Sequence, residues 1–205
     1  MKHALAGIVD WAWAGAALGG GESGDCHVVA ARPQGALFAA IDGLGHGVEA
    51  AEAARAAAAI LHAHAPLPVA ELVAKCHEGL RQTRGAVMSL AALDTRVATL
   101  EWCGIGNVES VLFRAAPGAG RARESLACPG GVVGYRLPTM RVTSVPIRPH
   151  DVLVMATDGI REDFSELLDF GDDAQLMADT IFARHAKGSD DALVLVVRYL
   201  GARDA

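Results

Sequence analysis

Two apolar runs, CHVVAAR and GALFAAID, are separated by only Pro33 and Gln34, and this spacing restricts the fold more than any other feature of the chain. A proline-led two-residue turn between strand-like runs predicts an antiparallel hairpin. The turn pairs Arg32 with Gly35, and counting outward along both strands brings Asp25 opposite Asp42. In that register the two Cβ atoms stand about 4.5–5.5 Å apart, while a bulge at Gly35 would displace the pairing by one residue.

The rest of the chain supplies partners for this hairpin. Upstream, the alternation in VDWAWAGAAL predicts a strand over residues 8–17, with Trp11 and Trp13 on one face as sheet packing. Downstream, residues 46–64 have the alanine content of a helix that stops before Pro66, and Pro68 opens a second over 69–83. Five strand-like runs follow: AVMSLAALD, VATLEWCGIG, VESVLFRA, RVTSVPI and DVLVMATDG. Helical segments near 162–168 and 172–186 precede the last strand, ALVLVVRYL, and AAPGAGRARE, residues 115–124, reads as a flexible hairpin tip. This order indicates an α+β protein with two mainly antiparallel sheets packed face to face and helices on the outer faces. At 205 residues the whole chain, 1–205, reads as a single domain.

Charge and cysteine usage remove several function classes. The net charge is -6 and no Lys/Arg run occurs, which argues against nucleic acid as a partner. The four cysteines are widely spaced with no CxxC, so neither a zinc knuckle nor a disulfide framework is indicated. Asp10 interrupts the apolar N-terminal segment, and no apolar stretch reaches the roughly 18 residues of a membrane span. A cytoplasmic protein that does not bind membranes is expected.

Aspartate is disfavoured inside strands, yet it recurs at strand ends: Asp25 in GESGDCHVV, Asp42 in FAAIDGLGHG, Asp158 in VMATDGI, and Asp190 and Asp191 in GSDDALVLVV. Two carboxylates at about 5 Å repel by on the order of 3 kcal/mol at an effective dielectric of about 20. No Lys or Arg lies beside these aspartates within the four motifs. A divalent cation would neutralise several of them together, and oxygen-only ligation selects a hard ion, Mg²⁺ or Mn²⁺, over zinc. Gly43, lacking a side chain, can bring its backbone close to an ion or a phosphate.

The ordered set SGD, DGLGHG, TDGI and DDALVLVV resembles the metal-dependent protein phosphatases (PPM, protein phosphatase 2C-like), specifically their bacterial SpoIIE-like branch. The resemblance spans about residues 5–199, and GIGNVESVLFR and PGGVVGYRLP are similar to stand-alone RsbX-type phosphatases that act on the stressosome. It implies an αββα sandwich with a two-metal centre at one edge. By motif, Asp42 resembles the bridging ligand, Asp25 and the Gly43 carbonyl complete one site with it, and Asp158 and Asp190 complete the other. Asp42, Asp158 and Asp190 thereby become the expected catalytic set. The implied cofactors are two Mn²⁺ or Mg²⁺ ions that activate a water for in-line attack on phosphoserine or phosphothreonine. The implied partner is a phosphorylated STAS-domain regulator or a stressosome scaffold protein.

Three residues are expected just outside the ligand set. Ser23 reads as a turn hydroxyl positioning Asp25, since no GxSxG elbow accompanies it as a nucleophile. His46 is either a general acid or a support for the following helix, and Asp191 is a helper beside the ligand position. Glu162 and Asp163 suit the first turn of a helix. The helix pair over 46–83 is either a static cover or a lever on the metal site. One departure from eukaryotic relatives is the lack of an arginine near the N-terminus, in a strand context, to hold substrate phosphate. Two alternatives stay open: a non-catalytic interaction module of the same fold, and a phosphatase of small phosphate esters.

Overall fold

The structure is a computed structural model that describes residues 5, 7–115, 122–166, 171 and 173–201. The described residues form two five-stranded antiparallel sheets. One has the order β1–β10–β9–β6–β7, built from Val9–Ala16, Ala192–Tyr199, Val152–Ala156, Glu109–Phe113 and Arg123–Ser125. The other has the order β2–β3–β4–β5–β8, built from Asp25–Arg32, Gly35–Gly43, Ala86–Asp94, Thr99–Ile105 and Thr143–Pro146. The Pro33-Gln34 turn holds the predicted register without a bulge: Arg32 pairs with Gly35 and Asp25 with Asp42.

β3 is buried along its whole length except at Asp42, because it is the second strand of its sheet and is covered on both faces. Val29, Phe38, Trp102, Leu153, Met155 and Leu195 fill the space between the sheets. On the outer face of the β2–β8 sheet lie α1, Val48–Ala63, and α2, Val69–Gly79, packed through Leu61, Leu72 and Cys76. α3, Ala174–His185, covers the other sheet through Met177 and Ile181. Six buried alanines of α1 give it a smooth inner face, so its backbone approaches β3 closely. A Cβ on Gly43 would overlap the Ala50 carbonyl oxygen, and this contact by itself demands glycine at that position.

Several expected boundaries shift. α1 begins at Val48, not 46, because Gly45 and Gly47 have φ of 88° and 78° and hold the preceding loop out of the helix. α2 ends at Gly79, and the chain turns through Leu80–Thr83, where the Thr83 hydroxyl donates to the Leu80 carbonyl. The segment expected near 162–168 is a 3-10 turn over Glu162–Glu166, and its remainder lies outside the described residues. Arg123–Ser125 forms a short strand inside the expected hairpin tip, of which 116–121 lie outside the described residues. Trp13 departs from the sheet-packing reading. It is 44% exposed and lies against the His27 ring at 4.7 Å, at the open edge between β1 and β2. Among the described residues no helix is long and apolar enough to cross a membrane.

Candidate metal centre

β2 starts at Asp25 and β3 delivers Asp42 at its far end, so the hairpin register alone makes the two carboxylates neighbours. Sheet packing adds the others. β9 leads through Thr157 to Asp158, and β10 begins just after Asp190 and Asp191, so strand ends from both sheets meet at one side of the sandwich. All five aspartates line one cavity of about 560 Å³.

The glycine of each Asp-Gly pair is explained by packing. Gly43 lies beneath α1, and its amide donates to the Gly24 carbonyl at 2.9 Å. A Cβ on Gly159 would overlap the Asp191 carbonyl oxygen, which places the start of β10 directly against the loop carrying Asp158. The two glycines let the Asp-bearing loops come this close to neighbouring backbone.

Burial pushes the Asp25 carboxyl up to about 7; repulsion from Asp191, Asp158 and Asp190 adds to it, against the lowering hydrogen bond from Thr157. Burial, then Asp25 and the other three carboxylates, pushes Asp42 up to about 8. Among the described residues no Lys or Arg pairs with any of the five. Arg84 pairs with Glu49, Arg161 with Asp163, and Lys187 donates to the Asp158 carbonyl oxygen at 2.5 Å.

Five carboxylates in one cavity, two of them with raised pKa values and none paired with a cationic side chain, fit a hard divalent cation. Among the described residues no three His, Cys, Asp or Glu side chains converge into a ready-made cage.

Of the residues expected to surround the ligands, Ser23 accepts the Asp25 amide through Oγ at 3.1 Å, as a turn hydroxyl should. Asp191 is 5% exposed; its Oδ1 accepts from the Leu18 amide at 2.7 Å and its Oδ2 from the Gly24 amide at 2.6 Å. It therefore anchors the loop leading into Asp25. His46 is exposed on the cavity wall, and the cap position of α1 belongs to Gly47.

Two contributors escaped the sequence reading. The Thr157 hydroxyl donates to Asp25 Oδ2 at 2.7 Å, and the Asn107 side-chain amide donates to Asp158 Oδ2 at 2.7 Å. Thr157 stands beside Asp158 in TDGI, so its polarity next to a site residue was a signal. Asn107 stands in GIGNVESVLFR, a stretch marked by the family resemblance but not read residue by residue.

Residues 32–200 match the model of the family described as Stage II sporulation protein E (SpoIIE). No curated protein matches the chain significantly. Among solved structures, the chain is similar to one described as "The bacterial stressosome: a modular system that has been adapted to control secondary messenger signaling". There the identity is 25% over 93% of this chain and 99% of that one, with a TM-score of 0.83. It is also similar to RsbX in complex with magnesium, at 16% identity over 94% of this chain and 96% of that one, TM-score 0.80. A third is the catalytic domain of the serine/threonine protein phosphatase PstP with two manganese ions, at 17% identity over 94% and 99% of the two chains, TM-score 0.69. The fold of these proteins, the family match over most of the chain and the carboxylate cavity agree: the chain belongs to the SpoIIE family and is a metal-dependent protein phosphatase of the SpoIIE-like branch.

Proposed function

We propose that the protein hydrolyses phosphoserine or phosphothreonine on a STAS-domain regulator or a stressosome scaffold protein, using two Mn²⁺ or Mg²⁺ ions. Asp25, Asp42, Asp158 and Asp190 would hold the ions, with the Gly43 carbonyl contributing to the same site as Asp25. The observation that carries the reading is that these carboxylates, without a cationic partner, line one cavity. The partner class is supported by the likeness to a structure from stressosome work and to RsbX.

When bound, the ions supply Lewis acidity and a nucleophile at neutral pH. The chain's own residues supply the rest. Asp42 and Asp25 arrive deprotonated only at the cost of their burial, so they favour cation binding over standing empty and charged. Thr157 and Asn107 each occupy one carboxylate oxygen, of Asp25 and Asp158 respectively, and so orient the remaining oxygen. Asp191 fixes the approach of the Gly24-Asp25 backbone. His46, which lines the same cavity, would be the candidate to pass a proton to the leaving serine oxygen.

The test is dephosphorylation of phosphorylated STAS proteins and of a small aryl phosphate in Mn²⁺ and in EDTA, for wild type and Asp42→Ala. Metal-dependent turnover that prefers the phosphoprotein and disappears in Asp42→Ala is expected. Turnover of the aryl phosphate with no preference for phosphoprotein would identify a small-ester phosphatase. No turnover of either would leave an interaction module.

A further inference from the structure

A phosphomonoester is a dianion, and the cavity it must enter is walled by aspartates. Ions at the centre offset those charges, and a positive side chain near the rim would further draw phosphate in and orient it. We propose that Arg84 is the phosphate-orienting residue of this site, presented from the loop between α2 and β4 and held at the rim by Glu49. This rests on the phosphatase reading above.

Backbone contacts fix where Arg84 stands. The Gly85 carbonyl accepts from the Leu44 amide at 3.0 Å, which ties the Arg84 loop to the DGLGHG loop. On the other side the Thr83 hydroxyl accepts from the Gly85 amide at 3.0 Å. With its backbone held at both neighbours, Arg84 retains freedom chiefly in its side chain.

That side chain lies against Gly45, which lines the cavity, while Arg84 itself lines the adjoining hollow with Glu49, Glu52, Gln82 and Thr83. Its Nη1 is 2.7 Å from the position a Cβ on Gly45 would take, and Gly45 and His46 both face the cavity. Glycine at 45 thus serves twice: its φ of 88° disfavours any other residue, and its bare Cα leaves room for the guanidinium.

The Arg84–Glu49 ion pair leaves the two side chains 48% and 64% exposed. An ion pair this open to water is weak. A phosphate dianion offers the same planar fork two parallel charge-assisted hydrogen bonds and competes well for it. Glu49 sits in the first turn of α1, so it parks Arg84 beside the cavity until phosphate arrives.

The experiment measures binding of inorganic phosphate to the Mg²⁺-loaded protein by calorimetry, with Mg²⁺ affinity and melting temperature followed in parallel. Arg84→Ala is expected to weaken phosphate binding on the order of tenfold with Mg²⁺ affinity unchanged. Arg84→Lys should restore part of the loss, and Glu49→Gln should tighten phosphate binding. In turnover the same variants should move KM more than kcat. Wild-type phosphate affinity in Arg84→Ala overturns the proposal. So does a Glu49→Gln variant that weakens phosphate as Arg84→Ala does and lowers the melting temperature equally, since the pair would then be only a structural tie. Failure of the phosphatase reading shows separately, as absent turnover in wild type, and the phosphate-binding comparison still decides the role of Arg84.

Discussion

The Thr157 hydroxyl, just past the end of β9, donates at 2.7 Å to Oδ2 of Asp25, which opens β2 in the opposite sheet. The same hydroxyl oxygen accepts the buried Leu193 amide at 2.9 Å, so one side chain links β2, β9 and β10 at the point where their carboxylates meet.

Replacing Thr157 with valine keeps the shape and removes both bonds. The stranded Leu193 amide costs about 1–3 kcal/mol, and thermal melting should fall by several degrees. Asp25 also loses the bond that favours its charged form, so Mn²⁺ affinity should drop when titrated by calorimetry. Thr157→Ser should recover both properties; a variant that melts normally but still binds Mn²⁺ poorly would confine the role of Thr157 to the metal site.

Stability should fall with rising pH without metal and lose most of that dependence with it. Asp25 and Asp42 sit at about 7 and about 8 in the folded state, above the ordinary 3.8. Between roughly pH 4 and 8 the folded protein therefore keeps protons that the unfolded chain has released. Their contribution is fully present below pH 4 and is lost as pH rises through 7 and 8. In EDTA the melting temperature should decline across this window, and Asp42→Asn should flatten the decline. The shift produced by Mn²⁺ should grow with pH, because the ion displaces those protons, and should largely vanish in Asp42→Asn.

Asp191→Asn tests whether this residue anchors rather than ligates. Both of its carboxylate oxygens accept backbone amides, and an asparagine must present an NH₂ group to one of them. A loss of about 2–3 kcal/mol is expected, or roughly 4–12 °C in melting temperature. Limited proteolysis should report faster cleavage in the Leu18–Gly24 segment.

Gly43→Ala separates packing from metal binding. The added methyl meets the Ala50 carbonyl, which only a shift of α1 or β3 can relieve. Destabilisation of about 3 kcal/mol or more is expected even in EDTA. If the variant melts like wild type and loses only Mn²⁺ affinity, the glycine serves the ion alone.

The hairpin was readable in advance because its information is local. A two-residue turn and a side-chain period of two fix the register, so Asp25 faces Asp42 by counting alone. The α+β class, the helix positions and the recurrence of aspartate at strand ends were legible for the same reason: each is a pattern within one segment. Helix starts and the character of Trp13 were less so, since loop glycines with positive φ and an open sheet edge decide them.

What the sequence by itself determined was the strand register, the layering and a set of acidic strand ends without compensating charge. Only the tertiary structure decided which distant groups complete them: Thr157 on Asp25, Asn107 on Asp158, Asp191 on the Leu18 and Gly24 amides, and Arg84 against Gly45. These contacts join segments up to 173 residues apart. They depend on how two twisted sheets and an alanine-faced helix pack, and close packing is a property of all the side chains at an interface together, with no signature in any one stretch of chain.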